Sequence, residues 1–169
     1  SRAGPPGPGS RVMTHAPPDP QQILAAAGLT PKRSWSQNFL RDQQALADIA
    51  ALTEAGPYRP VIELGAGLGV LTRGLLAEGL AVRAVELEAA SAELLEATLA
   101  GEHAGRLTVL RGDFMEMGPG ALGFTTAGRS LLCGNLPYQL VSGILVRAVE
   151  ELRPRLAAIL RIATPVTFL

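Results

Sequence analysis

Four short segments hold residues able to do chemistry, and each follows an apolar run. Asn135-Leu136-Pro137-Tyr138 comes directly after Leu131–Gly134. An amine on an adenine ring is a poor nucleophile, because its lone pair is delocalised into the ring. Acceptors aimed at the two amine hydrogens localise that pair. The side-chain oxygen of Asn135 and the backbone carbonyl of Leu136 are acceptors of this kind. Pro137 has a fixed φ and biases Leu136 toward an extended conformation, which turns that carbonyl outward. Tyr138 offers a ring on which a base can stack once it has left its own stack. These four are the candidate catalytic residues for methylation of an adenine amine. The nitrogen loses its proton after attack, so holding the reactants in line matters more than a strong general base.

The other three segments fit a nucleoside cofactor. Glu63-Leu64-Gly65-Ala66-Gly67-Leu68-Gly69 carries glycines in the pattern G-x-G-x-G. Glycine lets the backbone turn tightly and come close to a ligand. This is not the dinucleotide pattern G-x-G-x-x-G, so a pyrophosphate site loses ground. Taken alone, the loop also fits a plain strand-to-helix turn. Glu86 closes the run Ala81–Glu86, and a carboxylate there can accept from both hydroxyls of a ribose while repelling phosphate. That favours an unphosphorylated nucleoside such as that of S-adenosyl-L-methionine. In Arg111-Gly112-Asp113-Phe114, the Asp113 carboxylate can accept from the cofactor's adenine amine, with Phe114 near the ring.

Positioning these segments takes a particular order of elements. Val61–Leu64, Ala81–Leu87, Leu107–Leu110, Ser130–Cys133 and Leu156–Leu160 read as short strands. Val70–Ala77, Ala89–Ala100 and Gln139–Leu152 read as helices between them. Such alternation predicts parallel βαβ units and a doubly wound α/β sheet, whose ligands sit at the carboxyl ends of the strands. Upstream, Asp19 caps a helix over Gln21–Ala27, with Pro20 at its first position and Gly28 ending it. A second helix is predicted from Asp42 to Gly56, with Ala45, Leu46, Ile49, Ala50 and Leu52 on one face. Residues 1–18 read as a disordered Gly/Pro-rich leader, and 19–169 as a single catalytic domain.

Composition narrows the class. With 47% hydrophobic and 18% charged residues the chain reads as globular, and its 15 basic and 15 acidic groups cancel. The charges are unevenly spread: residues 1–41 hold five basic groups against one acid, and 42–146 hold six against twelve. The basic ends could meet phosphate. A single cysteine, Cys133, excludes an intrachain disulfide and a cysteine-cluster metal site. No metal, no membrane span and a reducing, cytoplasmic compartment are expected.

Together these motifs resemble the ribosomal RNA small-subunit adenine dimethyltransferase family. The resemblance runs from Pro20 to Leu160 and rests on Ser36-Gln37-Asn38-Phe39-Leu40, Glu63 to Gly69, Glu86, Gly112-Asp113 and Asn135 to Tyr138. It implies the Rossmann-like doubly wound sheet of class I S-adenosylmethionine-dependent methyltransferases, ending here after about the fifth strand. It also implies that Asn38, Leu40, Gly65, Glu86, Asp113 and Asn135 bind the cofactor, and that Tyr138 packs on the acceptor base. The implied activity is N6-dimethylation of neighbouring adenines in small-subunit ribosomal RNA, by a monomer acting in ribosome biogenesis. The rivals are a non-catalytic nucleic-acid-binding relative and an N6-adenine methyltransferase acting on another nucleic acid. Ser36 and Ala66 replace the family's usual Gly and Pro, and Arg161-Ile162-Ala163-Thr164-Pro165 departs from its usual continuation. That departure carries an expectation that the cofactor pocket is encoded but that activity on ribosomal RNA is weak or absent for these 169 residues alone.

Overall fold

The computed structural model describes residues 19–28, 30, 60–124, 129–153 and 156–161. Helix α1 (Pro20–Ala26) starts as expected: Asp19 accepts from the Gln21 amide at 3.0 Å, with proline in the first turn. There follow β1 (Val61–Leu64), α2 (Val70–Ala77), β2 (Val82–Glu86), α3 (Ala89–Leu95), β3 (Leu107–Arg111), β4 (Ser130–Gly134), α4 (Tyr138–Arg147) and β5 (Leu156–Arg161). The two long helices expected over 89–100 and 139–152 each change pitch before they end. Their last turns, Glu96–Ala100 and Ala148–Leu152, are wide π-type turns that seat Leu99 and Leu152 in the core. The leader, the helix expected from Asp42, and Asn38 and Leu40 lie outside the described residues.

The five strands among the described residues are all parallel, in the order β3-β2-β1-β4-β5. The chain winds outward from β1 in one direction, then returns to β1's other side at β4. The crevice between β1 and β4 is therefore the switch point at which such sheets hold ligands. Register brings the strand ends level there, with Leu64 opposite both Val85 and Gly134.

Both faces of the sheet are covered, which is why the central strands β1 and β4 are buried at every position and apolar but for Glu63 and Ser130. On one face Val61, Val82, Ala84 and Leu131 pack with Leu71, Leu75 and Leu76 of α2 and Leu95 of α3. On the other, Ile62, Leu64, Val85 and Leu132 pack with Ile144 of α4 and with Phe114, Leu122 and Phe124 from the segment after β3. Helix α1 joins through Leu24, which packs with Leu68 of the glycine loop and Leu94 of α3. Gly69 lets α2 start against α3: it sits at φ +77°, and a Cβ there would come within 2.5 Å of Leu95 Cδ2. Alanine at this position would meet both the left-handed backbone and a filled core.

Candidate active site

A cavity of about 460 Å³ opens at the carboxyl ends of the strands. Its wall takes Gly65 from the loop after β1, Glu86 from the end of β2, Asp113 from the turn after β3, and Asn135, Leu136 and Pro137 from the segment after β4. Six expected site residues, distant in sequence, thus meet in one place. Tyr138 is the first residue of α4, directly after the lining residue Pro137.

Local backbone chemistry shapes each contribution. The Gly65 amide donates to the Val85 carbonyl at 2.9 Å, so the loop leaves β1 still tied to β2. Gly65 has φ +66°, and a Cβ on it would stand 3.1 Å from Leu136 Cδ2. The glycine loop and the segment after β4 therefore approach each other at a residue without a side chain. Glu86 is 8% exposed and uses both oxygens: Oε2 accepts from the Gly67 amide and Oε1 from the Glu88 amide, each at 2.8 Å. This fixes the carboxylate at the cavity wall and ties it to the loop. The Asp113 Oδ1 accepts from the Met115 amide at 2.8 Å, and the Asp113 carbonyl accepts from the amides of Glu116 and Met117. Asp113 thus caps a short turn that carries Phe114 and Met115 to the cavity.

Several lining residues have no role in the motif reading, chiefly Ser91, Met115, Gln139 and Leu140, and Glu63, which stands in the glycine motif without one. The signal for Glu63 is in the sequence: it is the one charge in the run Val61–Leu64, a strand buried at every position. Its side chain faces α2, and Oε2 accepts from the Thr72 hydroxyl at 2.7 Å. Gly69, the residue before α2, has no side chain to cap the helix, and the Glu63 carboxyl meets the first turn from β1 through the Thr72 hydroxyl and a backbone hydrogen bond from Thr72.

Burial pushes the Glu63 carboxyl up to about 7, opposed by the Thr72 hydrogen bond and reinforced by the nearby Glu86 charge. The Cys133 thiol, paired across the strands with Glu63, is raised by its own burial and then by the Glu63 charge. A carboxyl that titrates higher in the folded chain than in the unfolded one stabilises the fold fully only below its unfolded value. That contribution is lost as pH rises toward and through about 7. Wild type should therefore lose at most about 3 kcal/mol between pH 5 and pH 8 from this residue. Glu63→Gln should flatten that part of the slope, read by urea denaturation across the same range. Parallel slopes for the two proteins would show that Glu63 is ionised throughout.

Among the described residues, those lining the cavity include no lysine or arginine. Among the described residues there is also no cluster of His, Cys, Asp and Glu able to hold a metal ion, and no helix long and apolar enough to cross a membrane.

Known proteins share this sequence and architecture. Residues 28–165 match the family model described as ribosomal RNA adenine dimethylase. The ribosomal RNA small subunit methyltransferase A of Anaeromyxobacter dehalogenans is 40% identical over 147 residues, covering 82% of this chain and 50% of the relative. Its counterpart in Myxococcus xanthus is 41% identical over 133 residues, covering 78% of this chain and 44% of its own length. The chain thus spans about half the length of the curated relatives it matches. Among solved structures, 23S rRNA methyltransferase ErmE superposes with a TM-score of 0.59 at 29% identity, over 76% of this chain and 48% of that one. The Pyrococcus horikoshii protein PH1948 superposes with a TM-score of 0.55 at 21% identity, over 86% of this chain and 72% of its own, which speaks to the fold alone. With its strand order, its glycine loop and a family match over residues 28–165, this chain belongs to the ribosomal RNA adenine dimethylase family.

Proposed function

We propose that this chain is the catalytic core of an S-adenosyl-L-methionine-dependent enzyme that dimethylates N6 of adenines in small-subunit ribosomal RNA. One observation carries the reading: Glu86, Asp113 and the Asn135–Pro137 segment line a single cavity at the switch point of the sheet. The cavity fits the cofactor's chemistry. Its volume, about 460 Å³, lies in the range that takes a small organic ligand. It offers the carboxylates of Glu86 and Asp113 for hydroxyls and an amine. When bound, S-adenosylmethionine supplies an electrophilic methyl group on a sulfonium.

The chain's own residues do the rest. Glu86 holds the ribose hydroxyls, while Gly65 and Gly67 leave room for the backbone to approach. Asp113 accepts from the cofactor's adenine amine through the oxygen that the turn leaves over. Asn135 and the Leu136 carbonyl accept the two hydrogens of the target amine and turn its lone pair toward the methyl carbon. Tyr138 stacks on the target base, and Asn38 and Leu40 close over the cofactor. Ribosomal RNA within the small subunit is the partner, in the cytoplasm, with the protein acting as a monomer. The small subunit is favoured because both curated relatives carry that substrate in their names, at 40% and 41% identity.

The test is transfer of labelled methyl groups to small subunits lacking the modification, followed by nucleoside mass spectrometry. The expected product is N6,N6-dimethyladenosine. Calorimetric binding of S-adenosylmethionine without methylation of any adenine-containing RNA would leave a binding protein in place of an enzyme.

A further inference from the structure

Arg147 is a charged residue with 7% exposure, on the face of α4 turned toward the sheet. A guanidinium at that depth needs its donors matched. Nη1 donates to the Phe114 carbonyl and Nη2 to the Met117 carbonyl, 33 and 30 residues away in sequence. Nε donates to Glu151 Oε2 at 3.0 Å, one helical turn on, and the guanidinium carbon lies 4.9 Å from the centre of the Phe114 ring. The two carbonyls bracket the turn that Asp113 caps. That turn brings Asp113, Phe114 and Met115 to the cavity, while α4 brings Gln139, Leu140, Gly143 and Ile144 to its other side. One turn before Arg147, Gly143 lies near Met115: a Cβ there would stand 3.8 Å from Met115 Cε.

We propose that Arg147 is a positioning residue that couples the two walls, so that a ligand seated against the Asp113 turn also sets the start of α4 and the acceptor segment before it. The proposal rests on the reading of the cavity as a cofactor site. A planar fork that bridges two carbonyls while stacking on a ring can do this. The single ammonium of lysine cannot, so charge alone does not replace it.

The experiment is amide hydrogen exchange of the whole chain, with and without saturating S-adenosylmethionine, in wild type, Arg147→Lys and Arg147→Met. In wild type the ligand is expected to slow exchange in 65–69, 112–117 and 138–147 alike. In Arg147→Lys the ligand-induced protection should persist in 65–69 and fall at least about three-fold in 138–147. A purely structural arginine would lower protection with and without ligand, leaving that difference unchanged. Arg147→Met keeps only the unbranched stem and its apolar packing, and gives the same reading if the lysine variant does not fold. Equal ligand-induced protection of 138–147 in wild type and a folded variant overturns the coupling alone. A folded wild type that binds no S-adenosylmethionine overturns the cofactor reading, and the coupling with it.

Discussion

Glu86→Ala is expected to weaken S-adenosylmethionine binding by about two to four orders of magnitude, the loss of two charge-assisted hydrogen bonds of roughly 1.5–3 kcal/mol each. The local geometry makes a sharper statement about the conservative change. Each carboxylate oxygen of Glu86 already accepts a backbone amide, Gly67 on one and Glu88 on the other. A glutamine has one acceptor oxygen, so its NH2 group must face one of those N–H donors. Glu86→Gln should therefore approach the alanine variant in its loss of affinity, where an ordinary solvated glutamate would tolerate the exchange. Isothermal titration of wild type and both variants measures this. The alanine variant also removes the Glu86 charge, which adds to burial in pushing Glu63 up, so the Glu63 carboxyl should titrate lower in it. Affinity unchanged in the alanine variant would place the ligand elsewhere.

Asn135→Ala should lower the single-turnover rate of methyl transfer to an RNA with unpaired adenines by about 10²–10³-fold, with cofactor affinity changed only a few-fold. The reason is differential: an acceptor for the target amine matters most as the nitrogen lone pair is turned toward carbon, and less when the cofactor sits alone. Asn135→Asp keeps an oxygen where the amine hydrogen points. The expected order of rates is wild type, then aspartate, then alanine. An alanine variant as fast as wild type would remove Asn135 from the chemistry. One in which affinity fell as far as rate would make it a cofactor ligand only.

The segments that line the cavity were legible because each is a local signal. A glycine-rich turn after an apolar strand, an acid at a strand's end and a proline after an asparagine are all set within a few residues. The helix cap at Asp19 belongs to the same class: donor and acceptor lie two residues apart. Even strand bounds came out close, since apolar runs of four to six residues between turn formers leave little latitude; β1 and α2 fall where the pattern places them. The pitch changes at Glu96 and Ala148 were not legible, because a helical hydrophobic stripe looks the same until the core has to be filled.

Sequence alone determined the fold class, the order of the strands along the chain and the residues at their carboxyl ends. Tertiary structure decided what those residues face. Glu63 lies in the glycine motif, yet only strand register and the docking of α2 set it against Thr72, nine residues on, and beside Cys133 of β4. Glu86 reaches Gly67 only because β2 lies beside β1. Arg147 reads as an ordinary basic residue near a helix end until α4 packs over the turn after β3. The physical reason is range. A turn or cap is decided by neighbours in the chain, whereas a buried charge is decided by whichever partners the closed core brings to it.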